Sequence, residues 1–203
     1  MTMNPLVENR ECLELSMEYE DFLEQAGSKF VEWVKGEIIM TGSANLLHQD
    51  IAGFLLGLLR WFVETHAAGK VISAPFQMWL PSVERGREPD LLFVANSSLK
   101  RLQPSHLNGA ADLVIEITSA ESRLRDRGEK FAEYEMEGVR EYWIIDPEPQ
   151  RADFFVLGTD ERFTRRYPDV QGIYTSEILS GFHLEVKWLW QESLPTLREI
   201  LQK

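Results

Sequence analysis

The segment that most constrains the fold is a short apolar run that contains one charge. Residues 113–118 read Leu-Val-Ile-Glu-Ile-Thr, and Glu116 is the one ionisable side chain among them. A nearly continuous apolar run of this length predicts a central β-strand that is covered on both faces. An isolated carboxylate in such a strand is costly to bury unless it is paired, metal-bound or protonated. The run therefore predicts a layered fold, and it predicts that Glu116 has a partner.

Three other segments predict helices that could cover this strand. Apolar residues recur with a helical period over residues 48–66, and a glycine follows at position 69. A second helix is predicted over residues 125–137, where Gly138 would end it. A shorter helix is predicted to begin at Ser16. The strand of residues 113–118 would thus have helices available for both of its faces.

The remaining apolar segments predict short strands, because each is bounded by Pro, Gly or Asn. Residues 30–40 predict a hairpin, since Lys35-Gly36 suits a tight turn. Further strands are predicted over residues 71–73, 76–80, 91–94, 142–147, 154–157, 162–167 and 181–186. This order predicts an α/β fold of the α+β type, with a mixed central sheet flanked by helices and an additional β-rich C-terminal part. The length of 203 residues predicts one domain over residues 16–203, preceded by an N-terminal arm over residues 1–15.

The net charge limits how this chain could bind a polyanion. Its 33 acidic residues outnumber its 21 lysines and arginines, for a net charge of −12. A broad basic face that neutralises many phosphates is therefore excluded. A local basic spot remains at Arg123, Arg125 and Arg127, which could contact phosphate, although a solvated helix start explains them equally well.

The location of the protein is predicted from its cysteine content and its apolar segments. Cys12 is the single cysteine, so an intramolecular disulfide is excluded. The N-terminus has no apolar run behind a basic stretch, and the most apolar segment, Ile51–Val63, is interrupted by Arg60 and too short to span a bilayer. We expect a cytoplasmic protein that does not bind membranes. The apolar segment Leu179–Trp190, or the N-terminal arm, predicts a homodimer.

Two further charged residues lie where they could act together with Glu116. Asp90 immediately precedes the apolar run Leu-Leu-Phe-Val, and Lys130 lies on the predicted helix after Asp126. A divalent cation shared by Asp90 and Glu116 would satisfy both carboxylates. The alternative is that Glu116 forms a buried salt bridge with an arginine, and that Asp90 merely opens a strand. Lys130 could act at this site, or it could pair with Asp126 or Glu133 on a solvated helix face.

Several segments of the chain occur in an order that is more specific than any one of them. They are Val31–Ile38, His48, Ala74–Phe76, Glu88–Val94, Ala111–Ser119, Asp126–Lys130 and Gly138–Pro147. In this combination the sequence resembles the Uma2 family, also called DUF820, over residues 16–190. That family is similar to the PD-(D/E)xK nuclease superfamily. The resemblance implies a restriction-endonuclease-like fold and cleavage of nucleic acid, DNA rather than RNA, that depends on Mg²⁺ or Mn²⁺.

The resemblance also implies roles for individual residues. Asp90, Glu116 and the backbone carbonyl of Ile117 would hold the metal ion. The superfamily lysine normally stands two residues after the glutamate, where this chain has Thr118, and Lys130 would take its place. A catalytically silent module that binds nucleic acid or protein is the alternative function.

Three additional residues match positions of the family pattern. Glu32 and Glu37 match its upstream acidic positions, and either could complete the metal site. His48 also matches a family position, although a histidine at a helix start is commonly a surface or capping residue. The family's usual acidic residue before the hairpin glycine is Lys35 in this chain.

Overall fold

A computed structural model describes residues 17–26, 31–40 and 45–202, so the predicted N-terminal arm and Cys12 lie outside the described residues. The helices are α1 Tyr19–Ala26, α2 Leu46–Thr65, α3 Arg123–Arg127, α4 Glu129–Glu137 and α5 Leu197–Leu201. The strands are β1 Val31–Val34, β2 Glu37–Met40, β3 Gly69–Ser73, β4 Gln77–Leu80, β5 Arg85–Arg87, β6 Leu91–Ala95, β7 His106–Asn108, β8 Leu113–Ile117, β9 Glu141–Asp146, β10 Arg151–Leu157, β11 Phe163–Arg166, β12 Ile173–Thr175 and β13 His183–Glu185.

The core is a six-stranded mixed sheet in the order β11-β10-β9-β8-β6-β3. Strand β8 is the apolar run that contains Glu116, and all five of its residues are buried, as predicted. It pairs in parallel with β9 and antiparallel with β6. One face of the sheet packs against α2 and the C-terminal segment, and the other packs against α4 and the second sheet. The predicted mixed sheet with flanking helices is therefore confirmed.

The second sheet has five strands in the order β2-β1-β5-β4-β7. The predicted hairpin forms β1 and β2, and its turn residues Lys35 and Gly36 have φ of 49° and 91°. The strand next to β1 is β5, which the sequence did not predict because Arg-Gly-Arg lacks an apolar pattern. This sheet places Glu32 and Arg87 against the core sheet.

Helix α2 is longer than its apolar stretch suggested. Asn45 caps it by accepting a hydrogen bond from the His48 amide at 2.9 Å. By length and composition alone the whole helix could cross a membrane, although its most apolar segment, Ile51–Val63, is too short to do so. In the fold, however, residues at helical spacing along one face, among them Ile51, Leu55 and Leu59, are buried in the core. Such burial is typical of the core helix of a globular domain.

The helix predicted over residues 125–137 consists of two helices, α3 and α4. Gly128 separates them with φ of −120° and ψ of −84°, and a Cβ atom there would lie 2.9 Å from the Leu124 carbonyl oxygen. Asp126 precedes the break and is 1% exposed. The expected ion pair between Asp126 and Lys130 is present at 3.6 Å. Its expected place on a solvated helix surface is wrong, because both side chains are buried.

The apolar segment Leu179–Trp190 belongs to the core of its own chain. Leu179, Phe182, Leu184 and Leu189 are all at most 2% exposed and pack against the α2 face of the sheet. The reason given for a homodimer through this segment is therefore wrong. The other proposed contact, the N-terminal arm, lies outside the described residues, so the homodimer stays a prediction.

A buried carboxylate holds this C-terminal segment to the core sheet. Glu141 begins β9, and its side chain is completely buried. Its two oxygens accept hydrogen bonds at 2.6 to 3.0 Å from Trp143 Nε1, the Tyr174 hydroxyl, Ser176 Oγ and the amides of Glu177 and Ile178. Removal of the carboxylate would take away an acceptor from all five donors, and only the Ile178 amide has a second acceptor among the described residues, Ser176 Oγ at 3.2 Å.

Glu141→Ala is expected to lower the free energy of unfolding by about 3 kcal/mol or more, since several buried donors are left unsatisfied at once. Urea denaturation measures this loss. Glu177→Ala is the matched control, because Glu177 forms a half-exposed pair with Arg166 and donates to Glu141 through its backbone. Its loss should stay below about 1 kcal/mol. Similar losses in both variants would contradict the structural role of Glu141.

Candidate active site

Asp90 and Glu116 lie opposite each other at the end of two neighbouring strands. Leu91 of β6 pairs with Ile115 of β8, and the antiparallel register places Asp90 opposite Glu116, with both side chains on one face. Asp90 Oδ2 accepts a hydrogen bond from the Ile117 amide at 2.7 Å. The sheet register therefore brings the two predicted carboxylates together.

Lys130 reaches Glu116 from the neighbouring helix α4. Its Nζ lies 2.9 Å from Glu116 Oε1, 2.9 Å from Glu32 Oε1 and 3.6 Å from Asp126 Oδ1. The residue is 3% exposed, so it does not lie on a solvated helix face. The break at Gly128 lets α4 begin directly above β8, which directs Lys130 into the sheet interior.

The three carboxylates around Lys130 keep its side chain charged. Burial by itself would lower the pKa of Lys130, but Glu116, Glu32 and Asp126 together raise it well above its usual value. Burial would raise the pKa of Glu32, yet Lys130 and Arg87 lower it to about 2. For Glu116 burial dominates and raises the pKa, although Lys130 opposes the effect. The carboxylates around Lys130 thus favour its charged, ammonium form.

Arg87 anchors the other side of the cluster, and sequence analysis missed it. Its fully buried guanidinium donates to Glu32 Oε2 at 2.8 Å, to both oxygens of Glu133 at 2.8 and 2.9 Å, and to Glu129 Oε1 at 2.9 Å. Glu133 therefore pairs with Arg87 and with Arg85, and not with Lys130. No periodic pattern marked Arg87, and its position next to the Glu-Pro-Asp segment was the one available signal.

Two further side chains, Tyr134 and Glu88, belong to the cluster around Glu116 and Lys130, and the sequence did not predict either of them. The hydroxyl of Tyr134 donates to Glu116 Oε1 at 2.8 Å, and burial raises the pKa of Tyr134 well above its usual value, so it remains a donor. Glu88 is also buried, and burial together with the Glu32 carboxylate raises the pKa of Glu88 to about 8. Glu116 is thus held by a tyrosine and a lysine, and not by an arginine.

The additional residues from the family pattern lie in different places. His48 Nε2 lies 3.2 Å from Asp90 Oδ1. Burial would lower the pKa of His48, but the bond to Asp90 raises it above its usual value. Glu32 lies inside the cluster, whereas Glu37 is exposed beyond it at the hairpin turn. Of these three residues, the structure places His48 and Glu32 at the site.

The predicted phosphate contacts are largely engaged by carboxylates. Arg123 donates to Asp146 at 2.6 and 3.0 Å and to Glu148 at 2.5 Å, and Arg127 donates to Asp153 at 2.5 Å. Arg125 makes no such pair in the described chain, although its charge contributes to lowering the pKa of Glu32. Of the three predicted arginines, Arg125 is the one whose charge acts on the carboxylates around Lys130.

The oxygen donors at the site are of the type that a hard divalent cation takes. Three buried polar atoms at the site have no hydrogen-bond partner among the described residues, namely His48 Nδ1, Glu88 Oε2 and Thr118 Oγ1. Buried polar atoms without partners are commonly satisfied by water or an ion. Within the described residues no group of three His, Cys, Asp or Glu side chains is placed to hold a metal ion. A site of two carboxylates completed by a carbonyl and water is the kind that Mg²⁺ accepts.

The chain is similar to a known protein family and to a solved structure. A family model described as "Uma2: Putative restriction endonuclease" matches residues 17–187. A search of curated proteins finds no match. Among solved structures, a protein from Anabaena variabilis described as "a putative nuclease belonging to DUF820" is similar, with a TM-score of 0.65 and 18% sequence identity. The alignment covers 79% of this chain and 89% of that one, which shows a shared fold.

Proposed function

The chain belongs to the Uma2 family, and from this membership and the site geometry we propose that it is a metal-dependent nuclease that hydrolyses phosphodiester bonds. The observation that carries the proposal is the position of Lys130. Its ammonium lies 2.9 Å from Glu116 Oε1, and Asp90 lies opposite Glu116 in the sheet. Two carboxylates and a fixed positive charge at one strand end are the groups that such a hydrolysis needs.

Asp90, Glu116 and the backbone carbonyl of Ile117 would hold the ion, which we propose to be Mg²⁺ or Mn²⁺. When bound, such an ion activates a water molecule and neutralises charge on the phosphate. Lys130 and Tyr134 both hydrogen bond Oε1 of Glu116, so Oε2 is the candidate ligand atom. The Ile117 amide holds Asp90 Oδ2 in place, which fixes the orientation of this carboxylate before substrate binds.

Lys130 would orient the attacking water or help to deprotonate it, and it would stabilise developing negative charge. Its pKa lies well above the usual value, which favours the ammonium form. An ammonium beside the scissile phosphate stabilises the negative charge that develops in the transition state. The proposed substrate is nucleic acid, with DNA preferred to RNA on the grounds of the family description alone.

The same ion pair supports a second candidate function. Lys130 already neutralises Glu116, and such a buried pair can persist for structural reasons alone. A silent module that binds nucleic acid or protein would retain it without needing a metal ion. The two candidate functions differ in one respect: the nuclease would cleave nucleic acid catalytically, and the silent module would not.

Incubation with single- and double-stranded DNA and RNA tests the proposal. Purified protein with Mn²⁺ or Mg²⁺ is expected to cut at least one of these substrates, and a chelator should abolish cutting. Glu116→Gln, which keeps the shape but removes the charge, is the control for contaminating nucleases. Cutting by Glu116→Gln at the wild-type rate, or no cutting by wild type on any substrate, would reject the nuclease and favour the silent module.

Thermal unfolding tests the metal ligands without requiring activity. Mn²⁺ at 100 times its Kd should stabilise the wild type by about 2.7 kcal/mol, because it binds the folded state. Asp90→Asn and Glu116→Gln should lose this stabilisation. Glu37→Gln is the matched control, since Glu37 is exposed and outside the cluster, and it should keep the full effect. An equal rise of Tm in all four proteins would contradict the assigned ligands.

A further inference from the structure

One buried carboxylate near the site forms ion pairs with three arginines. Asp153 of β10 is completely buried. Its oxygens pair with Arg127 Nη1 at 2.5 Å, with Arg151 Nε at 2.7 Å and with Arg165 Nη2. The neighbouring Asp146 and Glu148 pair with Arg123, and Asp146 also lies 3.9 Å from Arg127. Four guanidinium groups thus face three carboxylates, which leaves a local positive charge on a chain whose net charge is −12.

These arginines remain accessible to a ligand. The side chains of Arg127, Arg151 and Arg165 are 23%, 51% and 37% exposed. A guanidinium carries five N–H donors, so pairing with Asp153 fixes its orientation and leaves other donors available. Arginines that are held in place by a buried acid and still face solvent suit the bidentate binding of phosphate.

The sheet register places this arginine cluster beside the catalytic carboxylates. Glu116 of β8 pairs with Ile144 of β9, which in turn pairs with Asp153 of β10. Paired residues share one face of a sheet, so Glu116 and Asp153 face the same side. They lie two strands apart, which corresponds to roughly 10 Å. The cluster is therefore within reach of phosphates adjacent to the one that would be cut.

An aromatic side chain borders the same cluster. The guanidinium carbon of Arg165 lies 4.8 Å from the ring centroid of Tyr167. Tyr167 is 70% exposed, which is unusual for a large aromatic residue. Arginine and aromatic side chains side by side are the means by which single-stranded nucleic acid is bound, through its phosphates and by base stacking.

We infer that Arg127, Arg151 and Arg165, oriented by Asp153, bind the phosphates of a single-stranded nucleic-acid segment that flanks the cleavage position, and that Tyr167 stacks on one of its bases. This inference rests on the proposed function and specifies how its substrate binds. It also accounts for how so acidic a chain holds a polyanion, since the contact is local and its geometry is fixed. Asp153 is a positioning residue and does not touch the substrate.

Salt-dependent binding in chelator tests the arginine cluster separately from cleavage. A labelled single-stranded oligonucleotide and its duplex are titrated with protein, and the slope of log K against log salt is measured by fluorescence anisotropy. Each phosphate contact contributes about 0.7 to this slope for a single strand. The double substitution Arg151→Gln and Arg165→Gln should therefore reduce the slope by about 1.4. Arg151→Gln by itself should reduce it by about 0.7, and this variant serves if the double variant does not fold.

Arg166→Gln is the matched control for charge. Arg166 neighbours Arg165 on β11 but pairs in register with Phe154 and with the Glu177 carboxylate, on the opposite face of the sheet. It should leave the slope unchanged. An equal loss in Arg166→Gln, an unchanged slope in the double variant, or no binding by wild type would each overturn the inference.

Tyr167→Ala distinguishes single strand from duplex. Loss of a stacked base should weaken single-strand binding by about 5- to 100-fold and leave duplex binding nearly unchanged. Equal effects on both ligands would overturn the single-strand assignment. Binding that responds to these substitutions, in a protein that never cuts with metal, would support the cluster while rejecting the nuclease.

Discussion

Lys130→Ala is expected to reduce metal-dependent cleavage by roughly 100- to 1,000-fold, the cost of removing one group that stabilises transition-state charge. The substitution removes the positive charge that lies 2.9 Å from both Glu116 and Glu32. Metal-induced stabilisation should persist, because Asp90 and Glu116 remain and Glu116 has lost its competing cation. Rates from initial velocities, together with Tm measured with and without Mn²⁺, give both quantities.

A second substitution tests whether the loss of activity in Lys130→Ala comes from the missing charge or from disturbed local packing. Thr118 lies two residues after Glu116, buried and with its hydroxyl lacking a hydrogen-bond partner. Thr118→Lys in the Lys130→Ala background restores a positive charge near Glu116, at the place where the superfamily normally has it, and should recover part of the activity. Lys187→Ala is the control for losing a lysine, because Lys187 forms an exposed pair with Glu185. Cleavage by Lys130→Ala at the wild-type rate would contradict the role of Lys130.

Arg87→Met is expected to cause the largest loss of stability, about 3 to 5 kcal/mol. The guanidinium is completely buried and bonds Glu32, Glu133 and Glu129, so its removal takes four hydrogen bonds from these carboxylates. Glu32 and Glu133 would then each keep a single counter-ion, Lys130 and Arg85. Methionine fills similar space, and the effect therefore reports the charge and its hydrogen bonds. Urea denaturation at neutral pH measures the change.

Two comparisons define how the Arg87 result is interpreted. Arg162→Met breaks a pair with Glu135 in which the arginine is 75% exposed, and it should cost less than about 1 kcal/mol. Glu32→Gln added to Arg87→Met should recover part of the lost stability, because it removes a buried charge that has lost one of its two counter-ions. A loss in Arg87→Met as small as that in Arg162→Met would show that Arg87 is not the anchor of the cluster.

The elements that the sequence determined are those whose pattern is local. The apolar run of β8, the helical period of α2 and the turn at Lys35-Gly36 each depend on residues that are neighbours in the chain. Local sterics and burial of one face are enough to specify them. The unusual glutamate in β8 likewise predicted a paired side chain, because a lone carboxylate among apolar residues needs a partner wherever the strand lies.

Only the tertiary structure decided which partner each charge has. Arg87 pairs with Glu133 and Glu32, which are 46 and 55 residues away in sequence, and Lys130 meets Glu116 because Gly128 breaks the helix. The apolar pattern of the segment Leu179–Trp190 is compatible with a subunit interface and with a core. The tertiary structure shows that it is core, because the segment covers one face of the central sheet. Hydrophobic periodicity reports which face of an element is buried, but not which element covers it. Ion pairs depend on which element covers a given face. Two charges attract strongly only where the packing of separate layers brings them together and excludes water.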